Sequence, residues 1–163
     1  MEPPRNIKEV QSLTRGVTAL NKFVSKTTDK CLPFFKVLKK AFEWINDCQK
    51  AFQDLKMYIT TAPLLSPSVL GEELYLCLVV TPHAVSSTLV REEGKVQKPV
   101  YYTSRVLRGA EGRYPQMEKL AFALIMASRK LRHYFQAHVI NVITNHLLKK
   151  AMSKLEAAGR LIQ

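Results

Sequence analysis

Six cations crowd one stretch of this chain. Arg105, Arg108 and Arg113 lie in TSRVLRGAEGRYP, and Arg129, Lys130 and Arg132 follow in SRKLRHYF. Guanidinium and ammonium groups in such a cluster bind phosphate oxygens and carry no base information, so the chemistry they offer is sequence-independent contact with a nucleic-acid backbone. The competing reading is a solvated face. Tyr101, Tyr102 and Tyr114 adjoin the arginines and offer either stacking platforms for bases or core packing with a hydroxyl at the rim. Glu118 is the one acid in the helix that follows. It can serve as a remnant of a catalytic set or simply complement the helix dipole from the first turn. His83 and His146 fall near strand ends, where a pair of imidazoles suits zinc better than magnesium.

The acids are sparse. The aspartates are Asp29, Asp47 and Asp54, and none occurs from Leu55 to Gln163. Glu72, Glu73, Glu92, Glu93, Glu111, Glu118 and Glu156 are the acids of that second part, most of them in turns or ends. Lys and Arg number 25 against 13 Asp and Glu, a net charge of +12. The excess is spread along the chain, 11 basic to 6 acidic through Ala62 and 14 to 7 after it. A field of this sign favours polyanions, nucleic acid first among them.

Elements must position these groups. Apolar residues make up 47% of 163 residues, enough for a real core. No run approaches the roughly 18 apolar residues of a membrane helix, and MEPPRNIKEV has no apolar signal core, so neither a membrane partner nor secretion is expected. Cys31, Cys48 and Cys77 have no metal-like spacing and read as reduced, buried thiols of an intracellular protein. Asn6 to about Lys26 reads as an amphipathic helix, with Val10, Leu13, Val17, Leu20 and Val24 at steps of three or four. Thr27-Thr28-Asp29 breaks it, and Leu32 to Lys39 is a short helix with Pro33 near its start. Asn46 to about Thr60 is a third helix, with Asn46 and Gln49 spaced as a capping box, Trp44 stapling its entry and Ala51, Phe52, Leu55 and Ile59 as the buried stripe. Pro63 and Pro67 bracket a connection. Glu73 to Val80 is a strand apolar enough to be covered on both faces. Ala84 to Arg91 follows it, then a hairpin turn at 92–95 and a third strand, Val100 to Thr103. A long helix runs from Tyr114-Pro115 to Phe135, His138 to Thr144 is the fourth strand, and Asn145 to Met152 begins another helix. Two hairpins and one right-handed crossover give β-β-β-α-β-α, three strands antiparallel and the fourth parallel to the first.

The stretches LTRGVTALNKFVSKTTDKCLPFFKVLKK and FEWINDCQKAFQDLKMYITTAPLL resemble the thumb and connecting region that end a reverse transcriptase in Gypsy-class LTR retrotransposons. LYLCLVVTPHAVSSTLVREE and KPVYYTSRVLRGAEGRYPQMEKLAFALIMASRKLRHYFQAHVINVITNHLL are similar to the adjoining ribonuclease H-like domain. The resemblance covers residues 9 to 162, and the wording is nearest to plant elements. It implies a helical thumb and connection over 1–62, and over 63–163 an α/β ribonuclease H-like domain cut short of its fifth strand and last helix, as a fragment of a Pol polyprotein. It implies a family chemistry in which carboxylates hold two Mg²⁺ ions and cleave the RNA of an RNA–DNA hybrid. Carried over residue by residue, the first-strand Asp falls on Val79, the helix acid on Glu118 and the Asp after the fourth strand on Asn145. Val79 has no oxygen, and Asn145 offers only a neutral carbonyl to a hard dication.

The expectation is therefore a catalytically inactive fragment, with no metal site and no cofactor, that binds RNA–DNA hybrid or other nucleic acid non-specifically through Arg105, Arg108, Arg113, Arg129, Lys130 and Arg132. The polymerase palm is not in this chain. Two alternatives stay open. One is an active metal-dependent hybrid endonuclease resting on Glu118. The other is a spacer or protein-interaction module of a polyprotein, docking through Trp44, Phe34 and Phe35 or a free sheet edge.

Overall fold

A computed structural model describes residues 2–24, 26–38 and 42–144. Helices α1 (Ile7–Ala19), α2 (Thr27–Val37) and α3 (Asn46–Thr61) come first. Strands β1 (Leu74–Val80), β2 (Ala84–Glu93) and β3 (Val96–Val106) follow, then α4 (Gln116–Lys130), α5 (Arg132–Ala137) and β4 (Ile140–Ile143). The sheet order is β3-β2-β1-β4, with β1 antiparallel to β2, β2 antiparallel to β3 and β4 parallel to β1. This is the predicted topology. The expected helix from Asn145 lies outside the described residues.

The helical unit buries Val10, Val17, Cys31, Phe34, Val37, Cys48, Phe52 and Leu55 together. Asn6 caps α1 by accepting the Glu9 N–H at 3.0 Å. Several local expectations fail here. Thr27-Thr28-Asp29 is the first turn of α2, entered through Lys26 in the left-handed region (φ 50°). α1 ends at Ala19, short of the expected Lys26, and a 3₁₀ turn follows at Asn21–Phe23. Pro33 lies inside α2 rather than at its start. Asn46 is not a cap: Ile45 holds that position without a side-chain bond. Gln49, expected to reach back to the backbone, instead accepts the Trp44 indole N–H at 2.9 Å. Trp44 also stacks on Phe34 with ring centroids 5.9 Å apart and meets Phe52 edge-on. Phe34 is thus fully buried in the molecule's own core, while Trp44 and Phe35 pack against that core and stay half-buried. Ile59 is exposed.

The sheet packs one face on α4. Leu74, Leu76, Leu89 and Val100 bury against Ala127 and Leu131. A register shift sets Leu89 opposite Tyr101 and Val90 opposite Pro99, so Val100 is the extra residue of a bulge. That bulge lets the neighbours Val100 and Tyr101 both turn toward α4 and α5, which strict alternation would forbid. The expected single helix to Phe135 breaks at Leu131, a fully buried residue out of helical conformation. β3 extends several residues past Val100–Thr103 at both ends. Its outer edge is partly closed where Ser66 N–H donates to the Pro99 carbonyl at 2.8 Å, beside a residue with no N–H of its own. β1 is buried fully on one face only: Leu74 and Leu76 are covered, while Tyr75, Cys77 and Val79 are half-buried.

The second sheet face meets the helical unit. Thr28 N–H donates to Ser104 Oγ at 3.1 Å, and Thr81 Oγ1 donates to Asp29 Oδ1 at 2.9 Å. Tyr58 of α3 bonds the Tyr102 hydroxyl, and Lys30 Nζ sits 3.5 Å from the Tyr58 ring centroid. Helices and sheet thus share polar contacts. Among the described residues no helix is long and apolar enough to cross a membrane.

Candidate functional site

Two places carry the functional question: the corner where β1 and β4 end beside the start of α4, and the cationic flank of α4 and β3. At the corner, Val79 pairs with Ser86 across the sheet. Its neighbours Leu78 and Val80 pack on α4, so by alternation Val79 faces away from that helix. Glu118 is half-buried in the first turn of α4. The stripe of α4 that meets Leu78, Val80 and Val142 is Met117, Leu120, Ala121 and Leu124. At 100° per residue Glu118 lies about a third of a turn off it. Asn145 and His146 lie outside the described residues, and His83 is an exposed turn residue.

Leu120 belongs to the three- and four-residue apolar stripe that the sequence places on the core side of this helix, and it is the residue that decides this corner. It is 4% exposed and closes the α4–β1–β4 junction with methyl groups. Lys119, beside it, is 8% exposed and adds positive charge to the same turn. Mg²⁺ requires several oxygen ligands with negative charge. A valine facing the other way, an off-stripe glutamate, a buried leucine and a lysine do not supply them. The described residues of this corner do not fit the ions used by the family that the sequence resembles. Among the described residues no three His, Cys, Asp or Glu side chains converge.

The cationic flank is better assembled. Arg105 and Lys130 line one small cleft together with Ala123 and Met126. Arg113 ends a 3₁₀ turn just before α4, and Arg129 and Lys130 lie at the far end of that helix, which is about 20 Å long. Arg108, Arg113, Arg129, Lys130 and Arg132 are exposed. Arg105 differs. Its guanidinium lies 4.8 Å from the Phe122 ring centroid and pairs with Glu111 at 2.9 Å. Glu111 also accepts the Arg108 backbone N–H at 2.8 Å, pinning the loop between β3 and α4. Arg105 is therefore a half-buried strut as well as a charge. Of the tyrosines, Tyr102 is 6% exposed, and burial together with Tyr58 pushes its hydroxyl up to about 12. Tyr101 lies edge-on to Tyr134 and Tyr114 edge-on to Phe122. Tyr101 and Tyr102 serve the core, while Tyr114 is exposed beside Arg113. The thiols are free: Cys31 and Cys48 are buried, Cys77 half-buried, and burial pushes Cys31 up to about 11.

The strand order, the parallel fourth strand and the crossover helix define a ribonuclease H-like fold. The chain belongs to the family described as the RNase H-like domain found in reverse transcriptase, whose profile matches residues 44–142. Among curated proteins it is similar to the transposon Tf2-3 and Tf2-4 polyproteins of Schizosaccharomyces pombe, each 25% identical over 148 residues. That match takes in 88% of this chain and 11% of each polyprotein, so the chain spans about a ninth of the relatives it matches. Among solved structures it superposes on a foamy viral protease-reverse transcriptase dRH in complex with double-stranded DNA. There the TM-score is 0.75 at 20% identity, covering 96% of this chain and 31% of that one. A foamy viral protease-reverse transcriptase in complex with RNA/DNA hybrid gives 0.71 at 18% identity, covering 98% and 24%. At these identities the superpositions speak to fold.

Proposed function

We propose that this chain is a catalytically inactive, Gypsy-class retrotransposon-derived fragment, nearest to plant elements, in which a reverse-transcriptase connection (1–62) and a ribonuclease H-like domain (63–163) bind nucleic acid through phosphate contacts. The observation that carries the inactivity is the apolar filling of the β1–β4–α4 corner by Leu78, Val80, Leu120 and Val142. Charge stabilisation by metal is a large part of phosphodiester hydrolysis, and no described donor set there holds one. The exposed cations Arg108, Arg113, Arg129, Lys130 and Arg132 support the binding, as does the net charge of +12. That the fold neighbours were solved with double-stranded DNA and with RNA/DNA hybrid is consistent with it.

Binding of a labelled RNA–DNA hybrid across a salt series tests the reading. With about five phosphates neutralised, affinity falls roughly a hundredfold or more between 50 and 200 mM salt. Absence of binding at low salt sinks it. A second reading, a protein-docking spacer, is favoured by an apolar groove of about 370 Å³ between α1 and α3, lined by Leu13, Val17, Leu20, Phe52 and Ile59. Capture of another segment of the polyprotein with little salt dependence is its signature.

A further inference from the structure

We propose that the cleft between α1, the start of α2 and the end of β3 is a subsite for one sugar–phosphate unit of a single nucleic-acid strand. The proposal rests on the nucleic-acid reading above and adds a defined place and a ligand class to it. The cleft measures about 310 Å³, at the lower end of small-ligand sites and too small for a duplex. Its polar wall is Thr18, Thr27, Thr28 and Ser104, with Phe35 as an apolar side and Arg108 as the exposed cation. No carboxylate lines it. The acids nearest in sequence are Asp29, which adjoins Thr28 and accepts from the Thr81 hydroxyl, and Glu111, which is engaged by the Arg105 guanidinium and the Arg108 backbone N–H.

The hydroxyls define the ligand further. Thr18 Oγ1 donates to the Thr14 carbonyl at 2.7 Å, and Thr27 Oγ1 donates to the Val24 carbonyl at 2.6 Å. Their hydrogens are spent, so what these oxygens offer is lone pairs. Thr28 N–H is spent on Ser104 Oγ. A ligand matched to this wall brings its own hydroxyl donors to the threonines and an anionic oxygen to Arg108. A ribonucleotide unit has both, and its 2′-hydroxyl is a donor that deoxyribose lacks. Phe35 gives the sugar or base an apolar wall.

The test uses the full chain, ¹⁵N-labelled, titrated with oligouridylate and oligothymidylate tetramers, with affinities by fluorescence anisotropy for wild type, Thr18→Phe and Arg108→Gln. Thr18 is exposed on α1, so the phenylalanine fills the cleft while every cation stays. The expected result is amide shifts concentrated at Thr18, Thr27, Thr28 and Ser104, tighter binding of oligouridylate, and a loss of at least about fivefold in Thr18→Phe. Arg108→Gln weakens both oligomers and lowers the salt slope by about one. Binding with shifts elsewhere and an unaffected Thr18→Phe overturns the subsite and leaves the electrostatic reading standing. No binding of either oligomer overturns the subsite, while binding of the RNA–DNA hybrid in the same buffer separately decides the electrostatic reading.

Discussion

Asp29 of α2 accepts a 2.9 Å hydrogen bond from the Thr81 hydroxyl, two residues beyond Val79 at the end of β1. The hydroxyl itself is held by the turn, since Ala84 N–H donates to it at 3.0 Å. The other Asp29 oxygen, Oδ2, is buried with no hydrogen-bond partner. A carboxylate from the helical unit therefore depends on one donor in the sheet. Thr81→Val removes that donor and leaves the carboxylate worse satisfied, a cost of about 1–3 kcal/mol. In the Asp29→Asn background the same change costs less, because no charge is left stranded. A double-mutant cycle by urea unfolding measures the coupling. Strict additivity would show that the contact does not join the two units energetically.

Alkaline unfolding provides a second handle. Cys31 is 2% exposed, with its thiol raised from the ordinary 9 to about 11, and Tyr102 is raised from 10 to about 12, both chiefly by burial. A group that holds its proton more tightly when folded adds stability that is complete below its unfolded value and lost as pH rises toward the folded one. Stability thus falls from about pH 9 to 12, the unfolded chain releasing protons first. Cys31→Ala removes the 9–11 part of the slope and Tyr102→Phe the 10–12 part, each worth about 1–3 kcal/mol in total. Urea midpoints measured against pH in the three proteins check this. An unchanged slope in both variants contradicts it.

Trp44 is the sole tryptophan and sits between Phe34, Phe52 and Gln49. Its fluorescence reports on the helical core, while far-ultraviolet circular dichroism averages helices and sheet. The contacts Thr28–Ser104, Asp29–Thr81 and Tyr58–Tyr102 join the two parts. One cooperative transition with coincident midpoints is the expected outcome. Trp44→Phe loses an indole hydrogen bond and some packing, about 1–2 kcal/mol. Two separated transitions would mean that the units unfold independently.

Much of this architecture was legible in the residues. The continuous apolar run of β1, the hairpin turn at 92–95 and the long helical run from Tyr114-Pro115 to Phe135 led to the right strand order and crossover. What escaped reading depended on single backbone conformations and on which partner a polar group found. α2 is entered through a left-handed Lys26, so a polar triplet that looked like a break is a helix start. Gln49 has an indole within reach, so its capping pattern is not used. The candidate site was legible in composition and not in geometry. The poverty of carboxylates is plain from the chain, and so is the stripe that holds Leu120 and leaves out Glu118; only the packing shows that this stripe meets Leu78, Val80 and Val142 and so fills the corner. Likewise nothing local announced that Arg105 would lie over Phe122 and pair with Glu111.

The corner itself makes a prediction. Leu120→Glu places a carboxylate among Leu78, Val80 and Val142 and costs about 3 kcal/mol or more, because no described partner compensates it. Glu118→Ala, off that stripe, changes stability by about 1 kcal/mol at most. Thermal melts of the two variants decide the ranking, and a larger loss in Glu118→Ala would place the glutamate, not the leucine, in the junction.

The central claim is that this ribonuclease H-like domain has lost its chemistry and kept its charge. The direct measurement is incubation of the purified chain with an end-labelled RNA–DNA hybrid in Mg²⁺ and in Mn²⁺, resolving cleavage products while retention is followed at low salt. The account predicts salt-sensitive retention and an intact RNA strand with either ion. Cleavage that disappears in Glu118→Ala would contradict it, and would mean that ligands outside the described residues complete a working site.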